Sequence, residues 1–193
     1  YANYRLLCHV FISPICVTVC FDVTQNAMEA RVFGVGIIGK GYWGTVLAKH
    51  LNRRSDFEPL HIADTKYPLG DLWTDRRVDL VVIATPNQTH YELTMKSLEA
   101  GKHVLVEKPM CYSAAEISSI EELSKLNDLH VITDYTQTFS PSLRFIASGN
   151  VGIGDIRAYD LSVSKLRSLS DVNSNSIHWL MVSHLLSILD MFE

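Results

Sequence analysis

The stretch Val32-Phe-Gly-Val-Gly-Ile-Ile-Gly-Lys-Gly-Tyr-Trp-Gly44 decides the fold. Its first part, Val32 to Ile38, is apolar and rich in β-branched residues, which is typical of a strand buried on both faces. From Tyr42 to Asn52 the apolar side chains Trp43, Val46, Leu47 and Leu51 recur at helical spacing. The stretch therefore predicts a strand, a glycine-rich turn and a helix in direct succession.

Strands and helices continue to alternate down the chain. Further strands are predicted at 60–63, 79–84, 103–106 and 130–133. One intervening helix begins with Thr89 as its N-cap and ends before Gly101 at the C′ position. The next begins with a capping box of Ser113 and Glu116. Short connections between alternating elements imply right-handed crossovers, so the predicted fold class is α/β with a doubly wound parallel Rossmann sheet.

The glycine turn has the spacing GxGxxG, from Gly39 through Gly41 to Gly44. Such a motif is informative only between a buried strand and a helix, which is its context here. Gly39 would permit the tight turn, Gly41 would let a pyrophosphate approach the backbone, and Gly44 would let the helix pack on the sheet. Tyr42 and Trp43 lie in the same candidate cofactor loop. A purely structural turn between strand and helix is the alternative.

Asp64 follows the second strand, 20 residues after Gly44. A carboxylate at this distance from the glycine loop is suited to hydrogen bonds from the adenosine ribose hydroxyls. It repels a 2′-phosphate, so the predicted cofactor is NAD. Lys66 lies close enough in sequence to offset that repulsion, which leaves NADP open.

Polar residues follow the third and fourth predicted strands at the edge where the glycine loop also lies. Ligands of such sheets bind outside the carboxyl ends of the strands. The candidates are Thr85, Pro86, Asn87 and His90 after one strand, and Glu107 and Lys108 after the next. Removing a hydride from a carbinol requires loss of the hydroxyl proton, and a cation such as Lys108 lowers that barrier. A surface lysine at a strand end is the alternative.

Composition excludes several classes of function. Hydrophobic residues make up 47% of the chain and charged residues 20%, which is typical of a globular protein. The formal net charge of -4 offers no basic face, so we expect neither nucleic acid nor an anionic membrane as a partner. The cysteines form no CxxC pair, so no metal site is predicted. Their scarcity after residue 20 indicates a reduced, cytoplasmic protein.

Three regions are predicted. Residues 1–30 form an extra N-terminal segment outside the fold core, 31–150 the dinucleotide-binding domain, and 151–193 the start of an incomplete α+β substrate and oligomerisation domain. The apolar run from Leu6 to Phe21 is too short and too interrupted for a membrane helix. Upstream read-through is the preferred explanation for the first 27 residues, and a secretory signal the alternative. After the glycine-rich break at 149–154, a strand is predicted at 155–163 and a helix at 178–192.

The segments GIIGKGYWG (36–44), ATPNQTHYE (84–92) and VLVEKPM (104–110), in this order and spacing, resemble the glucose–fructose oxidoreductase/inositol dehydrogenase/MocA (Gfo/Idh/MocA) family. The resemblance extends from about Arg31 to Phe192, and the EKP tripeptide is its most characteristic mark. It implies an NAD(P)-dependent oxidoreductase that moves a hydride between nicotinamide and a hydroxyl carbon of a sugar, nucleotide-sugar or cyclitol. It places Thr85, Asn87 and His90 near the nicotinamide, and it gives Lys108 substrate binding and a part in catalysis.

The resemblance is looser in the second domain. His184 falls on the family's catalytic histidine, the acid/base for the reacting hydroxyl, but Leu180 and Leu185 replace two aspartates that are usual there. Full-length relatives are expected to be homo-oligomers built through a large open sheet, and the chain stops at Glu193, so a truncated member is expected. A non-catalytic NAD(H)-binding relative and an inactive gene fragment are the alternatives.

Overall fold

The computed structural model describes residues 5–12, 15–22, 31–64, 69–149, 160 and 174–192. In the N-terminal segment, β1 (Arg5–Ile12) pairs with β2 (Ile15–Asp22) in an antiparallel hairpin that was not predicted. This hairpin forms a sheet separate from the main one. No helix within the described ranges is both long and apolar enough to span a bilayer.

Five strands form the main sheet in the order β4-β3-β5-β6-β7, and every neighbouring pair is parallel. They are β3 (Phe33–Ile38), β4 (Phe57–Ala63), β5 (Val78–Ile83), β6 (His103–Glu107) and β7 (Val131–Asp134). β3, the first of these strands in the chain, lies inside the sheet. β4 is its neighbour on one side, and β5, β6 and β7 follow in chain order on the other. This topology confirms the predicted doubly wound parallel sheet.

The helices follow the expected alternation. They are α1 (Tyr42–Leu51), α2 (Gly70–Thr74), α3 (His90–Glu99), α4 (Ala114–Leu126), α5 (Pro141–Ala147) and α6 (Ser174–Leu189). The short α2 and α5 were not predicted, because neither is long enough to show a helical period. α6 begins before the predicted position and ends in a 3-10 turn, Asp190–Phe192. The strand predicted at 155–163 lies outside the described residues.

Local sequence signals placed the three helix ends correctly. The capping box is confirmed: the Glu116 N–H donates to Ser113 Oγ over 3.2 Å, and the Ser113 N–H donates to Glu116 Oε2 over 3.0 Å. Gly101, with φ of +73°, ends α3 as expected. Thr89 is the N-cap residue of α3 as predicted, but its hydroxyl donates to the Pro86 carbonyl over 2.8 Å and makes no side-chain capping bond.

The sheet separates two apolar layers. Alternate residues of each central strand point to opposite faces. One layer packs Val35, Ile37, Leu80 and Val82 against α1, and the other packs Ile38, Val81, Ile83, Val104 and Val106 against α3 and α4. These strands are therefore buried on both faces, which explains why their sequences are continuously apolar rather than alternating.

The junction between β3 and α1 is the closest contact between a helix and the sheet edge. A Cβ atom on Gly44 would lie 1.8 Å from the carbonyl oxygen of Gly39, inside any contact distance. Gly39 itself has φ of +120°, and its own Cβ would lie 2.2 Å from the carbonyl oxygen of Ala84. Two of the three motif glycines are thus required by protein packing alone.

Replacing Gly44 by alanine should destabilise the fold. In an exposed helix interior, glycine to alanine stabilises by about 1 kcal/mol. At Gly44 the added methyl group would force α1 away from the sheet, so we expect a net loss of ~1–3 kcal/mol in the free energy of unfolding.

Urea denaturation of Gly44→Ala and of the control Gly70→Ala measures this. A Cβ at Gly70 meets nothing within 4 Å, so the control should retain wild-type stability. Equal stability of the two variants would contradict the packing argument.

Candidate functional site

The carboxyl edge of the sheet gathers the loops that carry the predicted site residues. β3 lies between β4 and β5, so the chain's two directions of growth diverge at the ends of β3 and β5. A crevice at such a switch point is where ligands of doubly wound sheets bind. The glycine loop follows β3, Asp64 follows β4, Thr85 follows β5, and Glu107 ends β6. The topology therefore brings together the candidates from the first domain.

Gly41 differs from the other two motif glycines. It is the N-cap of α1, and a Cβ built on it would meet nothing within 4 Å. No protein contact therefore requires glycine there. The first turn of α1 contains no acidic residue, so the positive end of the helix dipole is not neutralised locally. An open space before a helix N-terminus, which a side chain would fill, fits a cradle for a dinucleotide pyrophosphate.

Tyr42 and Trp43 lie at the start of α1 beside this space. They are exposed, by 76% and 48%, and their rings meet edge to face with centroids 5.3 Å apart. The expectation that Trp43 shares the buried face of α1 was wrong, because Leu47, Ala48 and Leu51 form that face. Both aromatic rings are available to a bound cofactor at the glycine loop.

Asp64 is placed as expected for the ribose acid. It lies directly after the last residue of β4, half-buried, on the side of the sheet switch where the adenosine half of a dinucleotide would extend. Lys66, which bears on the choice between NAD and NADP, lies outside the described residues.

The loop after β5 is held rigidly. Thr85 Oγ1 lies 2.7 Å from Thr89 Oγ1, and Asn87–Thr89 forms a 3-10 turn. His90 is fully buried: its Nε2 lies 2.9 Å from the Thr85 carbonyl oxygen and its Nδ1 2.7 Å from the Pro109 carbonyl oxygen. Both ring nitrogens are thus directed at backbone carbonyls, so His90 ties the loops after β5 and β6 together.

Glu107, Lys108 and Asp134 form a charged group at the ends of β6 and β7. Glu107 and Asp134 face each other in the register of the two strands. Burial, with the nearby Asp134 charge, raises the pKa of Glu107 to about 7, and the positive charge of Lys108 only partly opposes this. Burial likewise raises the pKa of Asp134 to about 6, against the same opposing charge of Lys108. The Lys108–Pro109 peptide bond is cis.

His184 approaches this group from α6. Its side chain is half-buried, and Nδ1 has no hydrogen-bond partner among the described residues. Burial lowers the pKa of His184, and the charge of Lys108 lowers it further. The imidazole is therefore neutral at neutral pH and able to accept a proton. The charge of Lys108 thus acts on His184, although more than 70 residues separate the two in the chain.

Asp134 is a further residue at this edge that no sequence motif marks. It stands at the carboxyl end of the fifth strand, so the rule that ligands bind at the carboxyl ends of parallel strands applies to it as it does to Thr85 and Glu107.

Part of the chain matches a described protein family. Residues 68–135 match the model of the family described as GFO_IDH_MocA, oxidoreductase family, NAD-binding Rossmann fold. That match runs from the segment before α2 through β7. It includes the loops that carry Thr85, Asn87, Glu107 and Lys108.

Individual relatives extend the match in both directions. The chain is 28% identical over 156 residues to scyllo-inositol 2-dehydrogenase (NADP(+)) IolW of Bacillus subtilis, covering 74% of this chain and 43% of the relative. It is 36% identical over 102 residues to D-xylose 1-dehydrogenase (NADP(+)) of Hypocrea jecorina, covering 51% and 26%. The solved structure of the oxidoreductase yvaA from Bacillus subtilis superposes with a TM-score of 0.73 at 22% identity, covering 85% of this chain and 52% of that one.

The chain spans less than half the length of these two curated relatives. Within that span it has the parallel sheet order, the glycine loop and the EKP loop. The match over residues 68–135 and these relatives support a Gfo/Idh/MocA oxidoreductase with an NAD-binding Rossmann fold.

Proposed function

We propose that this chain is part of an NAD(P)-dependent oxidoreductase that transfers a hydride between nicotinamide and a hydroxyl carbon of a sugar, nucleotide-sugar or cyclitol. The observation that carries the proposal is that Lys108 follows β6 at the carboxyl edge where the glycine loop lies, while α6, which bears His184, packs on the turn Thr136–Phe139 after β7. One supplies a cation and the other a neutral base. Those are the two groups that carbinol oxidation requires.

The two side chains would have different tasks. The Lys108 ammonium would donate a hydrogen bond to the substrate hydroxyl and stabilise negative charge as it develops on oxygen. His184, neutral and with Nδ1 unpartnered among the described residues, would take the hydroxyl proton. When bound, the nicotinamide would accept or donate the hydride. In the reverse direction His184 would return the proton.

The cofactor would be held mainly by backbone groups. Gly39, Gly41 and Gly44 would shape the pyrophosphate site, with Tyr42 and Trp43 beside it and Asp64 on the ribose. Thr85, Pro86 and Asn87 would approach the nicotinamide end, and Glu107 would lie beneath it. His90 would contribute indirectly, by joining the loops after β5 and β6. NAD is the proposed cofactor because Asp64 is a carboxylate, and NADP is the second possibility because two relatives are named as NADP(+) enzymes.

The substrate class is inferred from relatives whose names specify inositol or xylose. All are compounds with several neighbouring hydroxyl groups. We further propose a cytoplasmic location and a homo-oligomeric state for the complete protein. A relative that only binds NAD(H) is the second candidate; it is favoured by Leu180 and Leu185, which cannot hydrogen-bond a sugar, but it does not explain why the charge of Lys108 acts on His184.

Gly41→Ala should weaken cofactor binding more than it weakens the fold. The added methyl group would enter the space proposed for the pyrophosphate, while none of the described protein atoms lies within 4 Å of it. We expect at least about a tenfold loss of NADH affinity, or ~1.4 kcal/mol, measured by fluorescence titration. Because alanine is a poorer N-cap than glycine, thermal unfolding should show a loss of stability of no more than about 1 kcal/mol. Gly70→Ala is the matched control, and unaltered NADH titrations for Gly41→Ala would refute this placement of the phosphates.

Asp64→Ala should alter the choice of cofactor. Without the carboxylate, NAD loses its ribose hydrogen bonds and NADP loses a repulsion. Dissociation constants for both cofactors are to be compared with those of Asp71→Ala, which removes an exposed acid on α2. The expected result is weaker NAD binding and equal or tighter NADP binding. A wild-type chain that already prefers NADP would show that Asp64 does not govern the choice.

Lys108→Met and His184→Asn should each lower kcat/KM for polyol oxidation by about 100-fold or more. Lys96→Met, an exposed lysine paired with Glu92, is the control for loss of a positive charge. Because the His184 pKa is lowered, wild-type oxidation should decline on the acid side only below about pH 6.5, the ordinary histidine value. NADH production from a panel of sugars and cyclitols measures both effects. Tight NADH binding with no turnover of any panel member would favour the binding-only candidate.

A further inference from the structure

We propose that His90 is a positioning residue that couples the cofactor site to the substrate site, by holding the backbone beside Lys108 to the loop after β5. It acts through the carbonyl groups of Thr85 and Pro109 and is not assigned a contact with cofactor or substrate. The inference rests on the proposed function, because that function assigns the loop after β5 to the nicotinamide and Lys108 to the substrate hydroxyl.

Both nitrogens of the His90 ring are directed at backbone carbonyl groups. The residue is 0% exposed; Nδ1 lies 2.7 Å from the Pro109 carbonyl oxygen, and Nε2 lies 2.9 Å from the Thr85 carbonyl oxygen. A carbonyl oxygen only accepts, so the ring donates to both when each nitrogen carries a hydrogen. Neither nitrogen is open to water or to a ligand. Any effect of His90 on the site must therefore pass through these two carbonyl groups.

The two contacts lie where backbone pairing no longer joins the loops. The register of β5 and β6 ends with Ile83 opposite Val106. Thr85 and Pro109 both lie beyond that pair in their segments. The imidazole thus continues the link between the two segments past the end of the strand ladder, at the carboxyl edge where the candidate site lies.

Lys108 is held by its neighbours on both sides in the chain. Glu107, which precedes it, is paired with Asp134 in the β6–β7 register, and the carbonyl group of Pro109, which follows it, faces His90. One strand contact and one His90 contact therefore fix the backbone at Lys108. The His90 contact is the one that connects this backbone to the loop proposed for the nicotinamide.

The loop after β5 is itself well held, so a change in it can reach His90. Thr89 Oγ1 donates to a carbonyl group of the same loop over 2.8 Å, which uses its one hydrogen; Thr85 Oγ1 therefore donates to Thr89 Oγ1 over 2.7 Å. His90 is the first residue of α3, whose inner face is buried in the core. A dinucleotide that fixes this loop would also fix His90 and, through it, the segment of Lys108.

A matched control is present at the opposite edge of the sheet. Lys102 is 7% exposed, and its Nζ donates to the carbonyl oxygens of Asp75 over 2.9 Å and Val78 over 2.8 Å. It directly precedes β6, whereas the Pro109 contact of His90 follows that strand. Lys102→Met therefore removes a buried link of the same kind away from the candidate site.

The experiment separates the two contacts with His90→Asn and His90→Gln. The asparagine amide is attached to Cγ, as Nδ1 is, and keeps the contact with Pro109. The glutamine amide lies one bond further out, as Nε2 does, and keeps the contact with Thr85. Because both variants introduce the same amide group, a difference between them reports which contact was kept. Amide hydrogen exchange of the 193-residue chain, with and without saturating NADH, is followed by mass spectrometry.

Without NADH, His90→Asn should exchange faster than the wild type over residues 84–89, and His90→Gln should do so over residues 107–113. Each increase should be about three- to tenfold, the range for one lost hydrogen bond. Saturating NADH should slow exchange over 107–113 in the wild type and in Lys102→Met. It should slow exchange there less in both His90 variants, because either substitution breaks the link between the loops.

An equal effect of NADH on residues 107–113 in the wild type and both His90 variants would overturn the proposal, as would the same loss of that effect in Lys102→Met. Exchange that rises equally over both segments in both variants would show a general effect on the fold and would also overturn it. So would a failure of both variants to fold while Lys102→Met folds. If only one variant folds, its own segment and its response to NADH decide.

Fluorescence titration of the wild type with NADH is done separately. NADH binding without any change over residues 107–113 would overturn the coupling and leave the proposed function standing. Absence of NADH binding would reject the proposed function, and the segment-specific exchange without NADH would still decide whether His90 holds the backbone beside Lys108.

Discussion

The close approach of α1 to the end of β3 is the constraint on which the rest of the structure depends. The Gly39 carbonyl oxygen occupies the place of a Gly44 side chain, and Gly39 has a backbone conformation that L residues rarely adopt. Because Gly39 and Gly44 are in direct contact, α1 begins close to the end of β3 at the sheet edge. The space that a Gly41 side chain would fill holds none of the described protein atoms and is open to a ligand. One packing constraint thus serves both the fold and the candidate phosphate site.

The second organising interaction is the mutual placement of the loops after β5 and β6. His90, fully buried, reaches the Thr85 carbonyl with one ring nitrogen and the Pro109 carbonyl with the other. Lys108 directly precedes Pro109, so the position of the lysine is coupled to the loop that would border the nicotinamide. In this role the histidine is buried between two backbone carbonyls and has no access to solvent. It is a structural use of a residue type that often signals catalysis.

The electrostatics of the edge follow from burial. Glu107 and Asp134 lose water at the ends of adjacent strands, which raises the pKa of both carboxyl groups, and Lys108 is the cation between them and His184. The arrangement places groups with pKa values shifted toward neutrality in one crevice. Proton transfer is most effective when the pKa of the exchanging groups lies near the working pH. A site of this kind suits the redox chemistry of alcohols.

The sequence by itself determined the alternation of strands and helices and the doubly wound parallel sheet. It also determined where the glycine loop, Asp64 and the EKP loop lie, because these depend on local patterns and on parallel strands sharing one edge. It also identified His184, through family resemblance. Only the tertiary structure decided that His90 is buried between two loops, that Trp43 is exposed and that Asp134 is buried beside Glu107 at the sheet edge. The reason is physical: burial, hydrogen-bond partners and electrostatic neighbours are set by residues distant in the chain. No local pattern in the sequence records which side chains meet across a sheet edge.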